Sequence, residues 1–168
     1  MQKIAILGGG LAGVSVAMQL IKQADTALSL QIFDQTGQFG RGVAYQPRQV
    51  AHLLNVAAGK MSLDPALPAD FLHWLQQQAQ FAADEPAVLA QAYLPRAVFG
   101  DYVAQRWQEA LALAAQKGLQ VSLRKVKVTA LDLTNQAAPR LQCEGDWQDF
   151  HQLVLACGNE LPRHPAGF

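Results

Sequence analysis

With 168 residues, 51% of them apolar, the chain is long enough for one domain to bury a core. Thirteen basic and thirteen acidic side chains cancel, which excludes the basic footprint of a nucleic-acid binder or of a protein held on an anionic membrane. No charged start followed by an apolar stretch and cleavage site marks a signal peptide, and no apolar run approaches bilayer length, so a cytoplasmic protein is expected.

The chain opens on KIAILGGGLAG, residues 3–13. Lys3 to Leu7 is a short apolar run that reads as a strand, and the pattern after Gly13 places Ala17, Leu20 and Ile21 on one helical face. Ser29 to Phe33 reads as a second buried strand ending at Asp34. The unit is βαβ, with parallel strands and a right-handed crossover.

Gly8, Gly10 and Gly13 fall at the spacing of a phosphate-binding turn. There the first glycine permits the bend, the second lets a pyrophosphate approach the backbone, and the third lets helix and strand pack closely. The phosphates would meet the free amides of Leu11, Ala12 and Gly13, where the helix dipole favours negative charge. Asp34, 21 residues past Gly13, is placed to accept ribose hydroxyls and to disfavour a 2′-phosphate. A plainer reading has the glycines forming an ordinary turn and Asp34 capping the next segment.

The Gly-rich DQTGQFGRGVAY follows from Asp34, and from about Thr36 to Leu67 the periodicity fails, so a long loop carrying AHLLNVAAGKMS is expected. Pro68 and Asp70 suit the start of a helix bearing Phe71, Trp74, Leu75 and Gln78. A second helix is expected from Pro95 to Gly118, with Phe99, Val103, Trp107, Ala110 and Ala114 as its buried stripe. The two together read as an insertion after the second strand. Trp74 and Trp107 fit core packing better than base stacking.

Beyond Gly118 the period becomes two, around Leu119 to Leu123, Val126 to Leu133, Leu141 to Cys143 and Gln148 to Phe150. Successive short strands suggest a meander. The continuous run QLVLACGN, Gln152 to Asn159, reads as a central parallel strand ending in Gly158. Cys143 and Cys157 are too far apart for a CxxC pair or a close-spaced zinc knuckle and are expected to be reduced thiols. The expected fold class is therefore α/β, a Rossmann-like parallel sheet with a helical insertion and a small β-meander.

A minimal NAD domain proceeds directly to further βα units, so the inserted loop, helices and meander favour FAD. The order of strand, GxGxxG, acidic strand end, meander and final apolar strand resembles the FAD domain of two-dinucleotide flavoproteins. Those commonly end this strand in Ala-Thr-Gly; here Ala156, Cys157 and Gly158 depart at the middle residue. GRGVAY, HLLNVAAGKMS, DFLHWL and YLPRAVFGDYV resemble more closely the FAD-NAD(P)-binding protein family, related to flavin-dependent N-hydroxylating monooxygenases. The match runs from Ile4 to about Pro162.

That resemblance implies that Gly40, Gly42, Ala44 and Tyr45 lie beside the flavin, that His52, Leu54, Asn55 and Met61 border its ring, and that backbone near Val126 to Val128 meets the adenine. His52 reads equally as a satisfied structural histidine and Asn55 as a local backbone cap. Arg124, Lys125 and Lys127 read as a solvated strand end. Arg96, a cation at a helix start, is a candidate pyrophosphate or substrate contact.

One glycine fingerprint is present where hydride transfer from NAD(P)H needs a second nucleotide site. The expectation is the N-terminal FAD-binding part of a longer NAD(P)H-dependent oxidoreductase, inactive as this chain alone. The alternatives are an NAD module without flavin and a silent Rossmann interaction domain. The substrate is not legible.

Overall fold

A computed structural model describes residues 1–46 and 52–158. Residues 47–51 of the expected long loop and Asn159 at the end of the last apolar run lie outside the described residues.

The first unit is β1 (Gln2–Leu7), α1 (Leu11–Gln23) and β2 (Leu28–Phe33), with β1 and β2 parallel and in register from Gln2 against Leu28 to Leu7 against Phe33. Alternation along the strands fills two cores. Ile4, Ile6, Leu30 and Ile32 pack with Val14, Ala17 and Ile21 of α1, while Ala5, Leu7 and Phe33 pack with Leu141, Cys143 and Phe150 on the opposite face. Burial on both faces is why these strands read as apolar runs.

Between β2 and the next strand lie a 3-10 turn at Ala58–Lys60, α2 (Asp70–Gln76), α3 (Pro86–Gln91) and α4 (Arg96–Gln116). The sequence analysis does not anticipate α3. Its six residues are too few to show a helical period, and its start is marked by Pro86 alone. Helix α4 buries Phe99, Tyr102, Val103, Trp107 and Ala114 and packs beside α1. Its C-cap residue, Lys117, donates from Nζ to the carbonyls of Ile21, Lys22 and Ala24 at 3.0, 2.8 and 3.2 Å, capping the end of α1.

Strand β3 (Gln120–Arg124) corrects one expectation: it does not belong to the meander but pairs parallel with β2, Ser29 against Gln120 through Phe33 against Arg124. A period of two cannot choose a partner. The preceding helix decides, because α4 supplies the crossover that parallel pairing requires. Thus α4 is the β2-to-β3 crossover as well as part of the insertion.

The meander proper is β4 (Val128–Asp132), β5 (Arg140–Cys143) and β6 (Asp146–Asp149), all antiparallel. Glu144 and Gly145, at φ 54° and 91°, form the two-residue turn between β5 and β6, with the backbone twist a tight hairpin needs. Strand β7 (Gln152–Leu155) returns beside β1, giving the order β3-β2-β1-β7. The expected central position of this strand is not what the described residues show: β7 pairs with β1 and ends the order, and Leu155 is 60% exposed. Among the described residues no helix is long and apolar enough to cross a membrane.

Candidate functional site

The turn between β1 and α1 is built on contacts that admit no side chain. Gly8 sits at φ +111°, donates its N–H to Phe33 O at 2.8 Å, and would place a Cβ 2.1 Å from the Ala156 carbonyl oxygen. A Cβ on Gly13 would stand 1.9 Å from the Gly8 oxygen, which confirms the close helix–strand approach expected at the third glycine. Gly10 is the N-cap of α1 and offers no side chain to the first turn, and Val14 N–H bonds back to Gly10 O at 3.0 Å. The amides of Leu11, Ala12 and Gly13 precede that bond, so helix geometry gives them no carbonyl within α1. No acidic side chain occupies the first turn. The helix thus presents donors and the positive end of its dipole together.

Asp34 follows β2 and reaches this turn. Its Oδ2 accepts the Gly9 N–H at 2.9 Å, while Oδ1 accepts from Thr36 N, Thr36 Oγ1 and Gly37 N at 2.8, 2.5 and 3.1 Å. Burial pushes the carboxyl pKa up, but the Thr36 hydroxyl and the amides of Gly9, Thr36 and Gly37 outweigh it and hold it below the ordinary carboxylate value. The capping reading of Asp34 is what the hydrogen bonds show. Oδ1 caps the next segment, and Oδ2, with one protein donor, retains acceptor capacity.

The Gly-rich loop folds over the turn. Gly40 N–H donates to Gly9 O at 2.8 Å, and a Cβ on Gly10 would lie 3.4 Å from the Gly42 Cα. The Cβ direction of Gly10 thus faces another stretch of backbone, a relationship the sequence does not disclose. Gln46 Nε2 closes the loop on Gly42 O at 2.6 Å, and the Tyr45 ring rests on Phe99 of α4 at 5.2 Å. Ala44 is exposed. Gly9, which the fingerprint leaves unspecified, also has no room: a Cβ would lie 2.7 Å from Phe39 Cδ1. The uninterrupted GGG is the signal for it.

The segment that begins at His52 is stitched to the chain entering α4. His52 O accepts Arg96 N–H at 2.8 Å, Leu54 N–H donates to Leu94 O at 2.8 Å, and Ala58 N–H donates to Ala92 O at 3.0 Å. Arg96 Nε donates to Leu53 O at 3.1 Å, so this side chain braces the segment. His52 and Asn55 are exposed, and Met61 is half-buried against the main core. Leu54 is buried in that core.

On the other side of Asp34, its N–H donates to Arg124 O at 2.9 Å. Arg124 is not simply solvated: it lies over the Phe33 ring and pairs with Glu144 at 3.3 Å. Lys125 packs its stem where a Gly37 Cβ would be, 2.8 Å from Cδ. Val128, in β4 opposite Cys143, packs against the smaller core. Gly158 is exposed at φ +66°, just past Ala156, whose N–H donates to Leu7 O at 2.7 Å. The thiols are free, Cys143 buried and Cys157 exposed with Sγ 3.6 Å from Leu7 O.

Sequence reasoning missed one partly buried network. Asp70 accepts from Arg106 Nε and Nη2 at 2.8 and 2.9 Å and from Tyr102 Oη at 2.6 Å, while Leu63 N–H donates to the same hydroxyl at 3.2 Å. It joins α2 and α4 to the loop below the site. Asp70 and Arg106 are 36 residues apart, so no local spacing reveals them.

A parallel sheet whose first turn carries three glycines without room for side chains, with a carboxylate from the next strand folded onto that turn, is a dinucleotide-binding α/β domain. The chain belongs to the FAD-NAD(P)-binding family, whose model matches residues 5–160. It is similar to the uncharacterized protein YdhS of Escherichia coli strain K12, 27% identical over an alignment of 170 positions that covers 96% of this chain and 31% of that protein. The chain thus spans less than a third of this relative's length.

Among solved structures, the fold is shared with an open form of cyclohexanone monooxygenase (TM-score 0.55, 12% identity, 94% of this chain and 27% of that one). It is shared equally with CtdE in complex with FAD (TM-score 0.55, 13% identity, 94% and 39%). A thioredoxin reductase from Gloeobacter violaceus matches at TM-score 0.50 and 16% identity over 97% of this chain and 37% of that one. At these identities the likeness is one of fold.

Proposed function

We propose that this chain is the FAD-binding part of an NAD(P)H-dependent flavoprotein oxidoreductase, with a monooxygenase as the narrower reading. The observation that carries it is the Asp34–Gly9 bond, which places a carboxylate with spare acceptor capacity beside the uncapped amides of α1. The residues fit the cofactor's demands: backbone without Cβ at Gly8, Gly10 and Gly13, donors at Leu11, Ala12 and Gly13 for a pyrophosphate, and Asp34 for ribose hydroxyls.

Gly40 and Gly42 would border the cofactor from the covering loop, Gly158 from the end of β7, and Val128 from the meander. His52 and Asn55, exposed on the segment joined to the start of α4, would border the ring. FAD itself supplies the redox chemistry, and the protein holds, orients and shields it. The monooxygenase reading rests on the GRGVAY and YLPRAVFGDYV motifs.

Titrating the purified chain with FAD, FMN and NAD, followed by flavin fluorescence and thermal melting, tests the proposal. Saturable binding of FAD with a raised melting point is expected. Stabilisation by NAD with none by FAD would replace this reading with an NAD module, and no response to any dinucleotide would favour a silent interaction domain. NADH or NADPH oxidation with added FAD should stay far below the order of 1 per second typical of enzymes.

A further inference from the structure

We propose that Arg41 is a positioning residue: held by Asp101 of α4, it seats the Gly40–Gly42 loop on the phosphate turn, so that a bound dinucleotide meets the loop backbone and not the Arg41 charge. The proposal rests on the FAD-binding reading above. A guanidinium flanked by glycines beside an anion-binding turn is chemically suited to phosphate. Here its Nη2 is engaged elsewhere, in an ion pair with Asp101, and its Nη1 is buried against Gly100 with no hydrogen-bond partner among the described residues.

The loop is held from two sides. Towards the turn, Gly40 N–H bonds Gly9 O, and a Cβ on Gly42 would lie 3.2 Å from the Gly10 Cα. Towards α4, Arg41 lies against Gly100, where a Cβ would come 2.8 Å from Nη1 and 2.4 Å from Tyr45 O. Position 100 thus admits the loop because it carries no side chain. Gly40 and Gly42, at φ +106° and +57°, give the loop backbone conformations that resist displacement weakly, so its place over the turn depends on these outer contacts. Helix α4 is a firm support, with Phe99, Tyr102, Val103 and Trp107 buried in the main core.

The sign of one effect separates this from simple electrostatics. Asp101 carries a negative charge near a site for an anion, so removing it should leave dinucleotide binding unchanged or tighten it if charge alone matters. A latch predicts weakening.

The experiment measures FAD dissociation constants for the wild-type chain, Asp101→Ala, Asp101→Asn, Arg41→Ala and the Asp101→Ala/Arg41→Ala double variant. Melting of each without ligand is followed alongside. Each alanine variant should weaken FAD by about three- to fivefold, the size of one exposed ion pair, with ligand-free melting little changed. The double variant should lose no more than either single, and Asp101→Asn, which keeps an acceptor for the guanidinium, should fall between.

Weakening by Arg41→Ala with none from Asp101→Ala would make Arg41 a direct phosphate ligand and overturn the proposal. Additive losses, or no loss in either, would overturn it too. If the wild-type chain binds no FAD, the FAD reading falls by itself. Amide exchange over residues 37–46 without ligand then reads the latch, and protection unchanged by Asp101→Ala overturns it.

Discussion

Asp34 Oδ2 accepts the Gly9 amide at 2.9 Å, so the carboxylate that closes β2 is also a component of the turn that closes β1. Two strand ends are thereby fixed to each other at the point where a nucleotide would bridge them. The donors around Asp34 favour its ionised form, which links the geometry to pH.

The folded pKa of Asp34 lies below the unfolded value of 3.8. Its contribution to stability is therefore present above that value and is lost as pH falls through the lower folded one. Other lowered carboxyls, Asp64, Asp70 and Asp132, add to the acid limb, so the wild type must be compared with Asp34→Asn. The difference in melting temperature between the two should be constant from neutrality to about pH 5 and should shrink below pH 4. Parallel curves down to pH 3 would remove Asp34 from the account.

Asp34 should also discriminate among ligands. Ribose hydroxyls donate to a carboxylate, whereas a 2′-phosphate brings a second negative charge against it. FAD and ADP are expected to raise the melting point more than NADP at equal concentration, measured by differential scanning fluorimetry. Equal or larger shifts with NADP would sink that role.

The glycines of the turn should not be equivalent under substitution. Gly8→Ala and Gly13→Ala drive a Cβ to 2.1 and 1.9 Å from carbonyl oxygens and should each cost at least about 1–3 kcal/mol in urea denaturation. Gly10→Ala meets Gly42 at ordinary van der Waals distance and should melt near the wild type. Gly10→Val pushes the covering loop aside, so the domain should stay folded by circular dichroism while FAD binding is lost.

Tyr102→Phe tests the partly buried network. It removes the hydroxyl that joins Leu63 N–H to Asp70 and should destabilise by about 1–2 kcal/mol. Burial and then the Asp70 contact push the Tyr102 pKa up to about 12. Its stabilising contribution is present below the unfolded value of 10 and is lost as pH rises through 12. The gap between wild type and variant should therefore narrow across that alkaline window.

What was legible in the sequence was what short-range pattern encodes. Alternation and the GxGxxG spacing placed β1, α1 and β2, and the stripe Phe99, Val103, Trp107 placed α4. Partner choice was not legible: β3 has the same period as its meander neighbours, yet pairs with β2 because a helix precedes it. The site divides likewise. Gly8, Gly13 and Asp34 are readable from spacing, whereas the Gly10–Gly42 contact and the Asp70–Arg106 pair join residues that only the folded chain brings together.

The single ammonium of Lys117, which takes the carbonyls of Ile21, Lys22 and Ala24, has a mechanical consequence. It welds the far poles of the two crossover helices, α1 and α4, into one stiff frame. The phosphate turn is mounted at the near pole of α1, and the covering loop leans on the near part of α4. A displacement of one mount is therefore passed towards the other through the paired helices and the end they share.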